Sequence, residues 1–249
     1  MRLFRENFRM NAMAAAHTGD DLRPQGAILG RLELVCDISG ALWLPRERAL
    51  LVADLHLEKG ASFVPFGQML PPYDTAATLA RLAGAVARFK PRLVVAMGDS
   101  FHRRDSARSL GAETRGQIAA LQAGRDWLWI TGNHDPDKPH GLGGEGAQTL
   151  VLGGVMLRHA PDAMATGPEI AGHMHPVAKV RLRGRSLRRR CFALSGGRCI
   201  LPAMGAYAGG LNLRDKAFSP LFPHGVSARM MGDTRVFSVS ERLLLPDQA

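Results

Sequence analysis

DWLWITGNHD, Asp126 to Asp135, sets an apolar, β-prone run directly before a glycine and three polar side chains. Trp127 to Ile130 read as a buried strand. Asn133, His134 and Asp135 follow at its carboxyl end, where a hydrophobic core has no use for them, and all three can hydrogen-bond or bind a metal.

The arrangement recurs upstream. RLVVAMGD gives a strand that ends at Asp99, and RALLVAD one that ends at Asp54. DTAATLARLAGAVARFK, Asp74 to Lys90, carries Leu79, Leu82, Val86 and Phe89 at helical spacing, opens on an Asp/Thr cap and stops before Pro91. ETRGQIAALQAG predicts a second helix before Asp126. Strand, helix, strand, helix, strand implies an α/β sheet with parallel pairs.

Ahead of this unit LELVCD and ALWLP read as short strands. From Thr149 onward TLVLGGVMLRHA, EIAGHMHP, AKVRLRG, RRCFALSG, RCILPAM and RVFSVSE also read as strands, with no further helix. The second half is therefore expected to form a sheet packed against the first, within one domain spanning residues 28–245. Residues 1–27 have no sustained period, include Met10 and Met13 as alternative starts, and are expected to form a flexible leader.

A chain of 249 residues can bury one substantial core. Its hydrophobic fraction of 46% and charged fraction of 22% are ordinary for a globular protein, but its formal net charge of +10 is not. The charge favours a polyanionic partner, and an arginine-rich composition explains it equally well without one. Cys36, Cys191 and Cys199 are odd in number and lack any C-x-x-C spacing, which argues for a reducing compartment. No apolar run approaches the ~18 residues of a membrane span. Arg5, Glu6, Arg9 and Asn11 interrupt the first apolar stretch, so no secretory signal is read and a cytoplasmic location is expected.

In open α/β sheets ligands bind beyond the carboxyl ends of the strands. Here those ends carry Asp54 with His56, Asp99, and Asn133 to Asp135. His159 in MLRHAP and His173 with His175 in AGHMHP join them from later strand ends. Carboxylates, imidazoles and one amide, without thiolate, suit Mn, Fe, Co or Zn better than Ca or Mg. Asp54, His56, Asp99, Asn133, His159, His173 and His175 are more ligands than one ion needs. If one carboxylate bridges, they divide into two sites about 4 Å apart, the spacing at which a hydroxide between two ions can attack phosphorus in line. Phosphoester hydrolysis is the natural chemistry. His17, His140 and His224 belong to no such block and read as ordinary loop or core residues.

The blocks D-x-H, G-D, G-N-H-D, H and G-H-x-H occur in that order at Asp54/His56, Gly98/Asp99, Gly132 to Asp135, His159 and Gly172/His173/His175. In this the chain resembles the calcineurin-like metallophosphoesterase superfamily over roughly Leu32 to Leu213. The resemblance implies a four-layer α-β-β-α sandwich. It also implies that Asp54, His56 and His175 hold one metal, that Asn133, His159 and His173 hold a second, and that Asp99 bridges. His134 is then left for catalysis as the group that protonates or stabilises the leaving oxygen, with Asp135 orienting it.

DLHLEKGASF, LPPYDTAATLARL, GDSFHRRD, AGHMHP and LPAMGAYAGGLNL resemble the bacterial ligase-associated DNA damage response phosphoesterases, an ICC-like family (PdeM). That resemblance implies a manganese-dependent phosphodiesterase and endonuclease in DNA repair, with a DNA ligase, a helicase and a second nuclease as operon partners. GDSFH is similar to the G-D-x-F-H element of repair nucleases, which makes His102 a candidate second active-site histidine, the alternative being a loop residue without contact; Arg103, Arg104 and Arg108 follow it as candidates for phosphate contacts or for a solvated surface.

AKVRLRGRSLRRRCF is the densest basic run, with no acid in it. As a hairpin turning at Gly184 to Ser186, it puts Lys179, Arg181 and Arg183 on one face while Val180 and Leu182 point inward. Arg181, Arg183 and Arg188 are then candidates for a DNA backbone clamp, or a solvated surface. A small-molecule phosphomonoesterase or nucleotide hydrolase would use the same metals, and a binding scaffold would not need every ligand position filled.

Overall fold

The computed structural model describes residues 26–60, 73–103 and 105–248. Seven strands form the first sheet in chain order: β1 (Gly26–Leu29), β2 (Leu32–Cys36), β3 (Leu42–Leu44), β4 (Ala49–Val52), β5 (Leu93–Met97), β6 (Asp126–Ile130) and β7 (Glu145–Ala147). β1 to β4 pair antiparallel. β4 to β7 pair parallel. The first two parallel pairs are made possible by α1 (Asp74–Phe89) and α2 (Ala112–Gln122), which return the chain over one face of the sheet. β4 is buried along its whole length and β5 along nearly all of it, as strands covered on both faces must be.

The second sheet contains β8 (Thr149–Leu152), β9 (Val155–Arg158), β10 (Glu169–Ala171), β11 (Pro176–Leu182), β12 (Arg185–Leu194), β13 (Arg198–Ile200) and β14 (Leu211–Asn212). Its order is β14-β11-β12-β13-β10-β9-β8, and β15 (Ser227–Met231) and β16 (Val236–Ser240) extend it from β12. Between the two sheets Leu34, Leu51, Val95 and Met97 pack with Leu157, Ile170, Phe192 and Leu201. Leu79, Leu82 and Val86 of α1 and Ile118 of α2 cover the other face of the first sheet at Leu50, Val94, Trp127 and Trp129. On the outer face of the second sheet Phe218, Leu221 and Phe222 cover Val180, Cys191 and Ile200.

The fold is thus the expected α/β sandwich in one domain, with its fourth layer reduced to 3-10 turns at Lys216–Phe218 and Glu241–Leu243. β1 opens at Gly26, so Gly26 and Ala27 join the domain, and the rest of the expected leader lies outside the described residues. β7, β14 and β15 were not anticipated, because EGA, LN and SARMM are too short or too polar to signal a strand.

Two local expectations change. Asp74 and Thr75 do not cap α1: Tyr73 is its N-cap residue and makes no side-chain cap bond. Instead, Asp74 Oδ2 accepts from Gly60 N at 2.9 Å and Thr75 Oγ1 from Glu58 N at 2.8 Å, which ties the helix to the segment after His56. The β11–β12 turn is Arg183-Gly184, since Leu182 pairs with Arg185. Both turn residues have positive φ, 47° and 77°, the two-residue geometry that matches strand twist.

Candidate metal centre

The carboxyl ends of β4 and β5 stay tied together beyond their ladder. Asp54 N donates to Gly98 O at 3.2 Å and His56 N to Asp99 O at 2.9 Å. Asp54, His56, Asp99, His173 and His175 all adopt the left-handed conformation, with φ between 43° and 68°. Strain of this kind persists only where surrounding structure imposes it, and it clusters at functional sites. The adjacent glycines are sterically required. A Cβ on Gly98 would stand 2.5 Å from the His159 ring, and one on Gly132 would stand 2.2 Å from Asp99 N and 2.3 Å from Asp99 Oδ1.

The side chains gather into three overlapping groups, Asp54/His56/His175, Asp99/His159/His173 and His56/Asp99/His134, each with ligand atoms within 4.8 Å of one another. His56 Nε2 faces His175 Nε2 at 3.3 Å, and His175 Nε2 lies 3.3 Å from Asp54 Oδ1. His159 Nε2 lies 3.2 Å from His173 Nδ1 and 3.4 Å from Asp99 Oδ1. Two donors each about 2.1 Å from one ion stand roughly 3–4 Å apart. Buried Asp54 Oδ1 and His56 Nδ1 have no hydrogen-bond partner among the described residues, and an unpaired buried carboxylate oxygen is costly unless a cation meets it. The donor set fits divalent metal ions.

Protonation points the same way. Burial pushes His56 down to about 4, leaving it neutral, the state in which an imidazole can bind a metal. Burial would raise Asp99, but hydrogen bonds and charge from His159, with the His134 amide, hold it well below the usual carboxylate range. Burial also opposes charge on His159, yet Asp99 and Asp54 outweigh it and raise its pKa. This cluster of carboxylates favours positive charge. The His159 Nδ1 lies 3.0 Å from Met97 O, and donation to that carbonyl leaves Nε2 free to face the cluster.

A calcineurin-like phosphoesterase family model matches residues 47–176, from the start of β4 to the first residue of β11. The chain belongs to that family. This calcineurin-like phosphoesterase is therefore a metal-dependent hydrolase of phosphoesters. It is similar to a nuclease of Pseudomonas putida, MPE, at 30% identity and TM-score 0.66, covering 86% of this chain and 99% of that one. A phosphoesterase of E. coli, Yfce, aligns at 14% identity and TM-score 0.39, covering 77% of this chain and 98% of that one. A search of curated proteins finds no match.

At the open side of the phosphoesterase centre His134 is about half exposed, its Nε2 3.8 Å from Asp99 Oδ2 and its amide donating to Asp99 Oδ1 at 2.9 Å. The His102 ring stacks on it, with centroids 5.4 Å apart and planes at 21°. Burial, then the nearby Lys59, lowers the His102 pKa. Asn133 is exposed beside His134.

Asp135 does not orient His134. Its buried Oδ2 accepts from Ser100 N at 2.7 Å and Phe101 N at 3.3 Å, so it braces the loop that carries Asp99. Burial raises its carboxyl to about 7. Asp135→Asn, which retains an acceptor, is expected to keep most activity. Asp135→Ala strands two buried amides at about 1–3 kcal/mol each and is expected to lose metal first, which metal titration of the two variants checks.

Sequence reasoning missed Arg190 by placing it in a basic surface run. Arg190 Nη1 donates to Ala203 O at 2.9 Å and Nη2 to Gly205 O and Ala208 O at 2.8 and 3.1 Å. Arg81 of α1 also donates to Met204 O. These guanidiniums shape the loop after β13, whose Met204 and Gly205 amides bond Ala53 O and Asp54 O at 2.9 and 3.0 Å. Thr78 Oγ1 of α1 accepts from Ala206 N in the same loop. The signal was LPAMGAYAGGLNL itself, whose glycines and lack of charge imply backbone groups waiting for an internal donor. Arg190→Met should lower metal affinity about 10- to 100-fold. Arg190→Lys, with fewer donors, should fall between it and the wild type in the same titration.

The other basic candidates are spread over the surface. Arg103 is exposed next to His102, and Arg104 lies outside the described residues. Arg181 and Arg183 are exposed on the hairpin and make no ion pair among the described residues. Arg188, expected to be open for DNA, is instead bound to Asp247, with Nε 3.0 Å from Oδ1.

Proposed function

We propose that the protein is a dinuclear phosphodiesterase that cuts DNA. The observation that carries this reading is the position of Asp99, which groups with His159 and His173 on one side and with His56 of the Asp54/His56/His175 group on the other, beneath a face bearing His134 and His102. The similarity to a nuclease at 30% identity supports nucleic acid as the substrate class. The formal net charge of +10 supports a polyanion.

In this reading Asp54, His56 and His175 hold one ion, Asn133, His159 and His173 the other, and Asp99 bridges, with Mn the favoured metal. Two divalent ions bound there would supply an activated water and would offset charge on the phosphoryl oxygens. His134 protonates or stabilises the leaving oxygen, and His102, stacked against it, bounds the position of the scissile strand. Arg103, Arg104, Arg181 and Arg183 hold flanking phosphates. We place the protein in the cytoplasm, consistent with its free cysteines, and in DNA repair beside a ligase, a helicase and a second nuclease. No described helix is long and apolar enough to cross a membrane.

The test is a parallel assay of plasmid, single-stranded DNA and a mononucleotide panel with Mn added. Cleavage within the DNA substrates is expected. Rapid turnover of mononucleotides with intact DNA would replace this reading by a small-molecule phosphoesterase.

A further inference from the structure

The β11–β12 register places Arg190 opposite Val177, Arg188 opposite Lys179, and Ser186 opposite Arg181. Alternation along each strand puts these residues on one face. That face begins at Arg190, under the loop that borders the metal centre, and runs outward through Lys179 and Arg188 to Arg181 and the Arg183 turn.

Among the described residues one acid pairs with it. Asp247 Oδ1 accepts from Arg188 Nε at 3.0 Å and from Asn212 Nδ2 at 2.9 Å, and its Oδ2 accepts from Arg188 Nη2 at 3.2 Å. Its main-chain oxygen accepts from Lys179 Nζ at 2.8 Å. The segment is laid beside β11 by Leu245, whose N–H donates to Lys179 O at 2.8 Å and whose carbonyl accepts from Asn212 Nδ2 at 3.0 Å. Arg188 also donates to Gly210 O at 2.8 Å, in the same loop that Arg190 holds.

A guanidinium that meets two oxygens of one acid through Nε and Nη2, with an amide and an ammonium alongside, is the arrangement that recognises a phosphate diester. Both partners of the ion pair are 43–45% exposed. Such a pair adds little to stability and is screened by salt, so a polyanion can displace the carboxylate. The carboxylate is therefore the weak, competing occupant.

We propose that Lys179, Arg188 and Asn212 form a binding site for a backbone phosphate of nucleic acid, and that Asp247 fills it until substrate displaces residues 245–248. The inference rests on DNA being the substrate and adds a built-in competitor to that reading.

The experiment measures binding of the metal-loaded full chain to a dye-labelled, phosphorothioate-linked oligodeoxynucleotide, which keeps its charge and resists cutting. Asp247→Asn should tighten Kd about 2- to 5-fold at low salt, the worth of releasing an exposed ion pair, with small-diester hydrolysis unchanged. Arg188→Gln should weaken binding and lower the salt slope by about 0.7. The double variant should bind no tighter than Arg188→Gln, because Asp247 acts through that guanidinium. A gain that persists in the double variant reduces the effect to net charge and overturns the proposal. Unchanged Kd in Asp247→Asn, with weaker binding in Arg181→Gln and Arg183→Gln, also overturns it and leaves the DNA reading standing. Failure of every form to bind the oligonucleotide removes the DNA reading and this inference together.

Discussion

Asp99→Asn should bring phosphodiester hydrolysis down by about 10³-fold or more, beyond the 10²–10³-fold cost of removing one transition-state donor, while the fold survives. Asp99 lies 3.4 Å from His159 Nε2, 3.8 Å from His134 Nε2, and accepts the His134 amide at 2.9 Å. One carboxylate thus touches the second ligand group, the candidate acid and the loop that positions it. Asparagine keeps the volume but removes the charge, and it offers an N–H₂ where a ligand oxygen is needed. The loss should appear as metal content falling from two ions per chain, measured on reconstituted protein, with an unchanged circular dichroism spectrum. One ion per chain in the wild type, or full activity in the variant, would sink the dinuclear model.

The strand ends were legible because their chemistry conflicts with their surroundings. LVVAM and DWLWI can only be buried strands, and an Asp or an Asn-His-Asp run placed directly after them must be held by something other than a core. Convergence of Asp54, Asp99 and Asn133 to Asp135 then follows from parallel pairing, which puts the ends of β4, β5 and β6 on one edge, and His159 and His173 are brought together in the second sheet by the parallel pairing of β9 and β10. Partners that depend on tertiary path were not legible. Asp135 is one residue from His134, and adjacency suggested that they interact. At that turn, however, the Asp135 carboxylate is buried towards the Ser100 and Phe101 amides while His134 stays exposed. Arg190 and Arg188 read alike in a basic run, yet one lies beneath a loop of carbonyls and the other meets an acid 59 residues away. Charge runs report composition, and only the fold decides which cations are spent internally.

That division has a functional consequence. Of the basic residues on the hairpin face, Arg190 holds the metal-site loop and Arg188 and Lys179 hold Asp247, leaving Arg181 and Arg183 as the exposed cations without an acid among the described residues. On the proposed displacement, the strength of the basic face is set by how readily Asp247 yields.

His134→Ala should retain both ions and lose rate by about 10²- to 10⁴-fold, the range for loss of a positioned general acid. The retained metal follows from geometry, since Asp54, His56, Asp99, His159, His173 and His175 remain to form both ligand groups without it. Its amide bond to Asp99 Oδ1 is a main-chain contact that alanine keeps. A proton donor matters in proportion to the basicity of the leaving oxygen. The loss should therefore be large for an alkyl or deoxyribose diester and much smaller for a nitrophenyl ester, which departs without help. His102, stacked 5.4 Å away, cannot substitute without moving, so His102→Ala should leave that leaving-group dependence intact. Equal losses on good and poor leaving groups in His134→Ala would instead assign the residue to substrate positioning. Loss of one ion would make it a ligand, as its place in the His56/Asp99/His134 group permits.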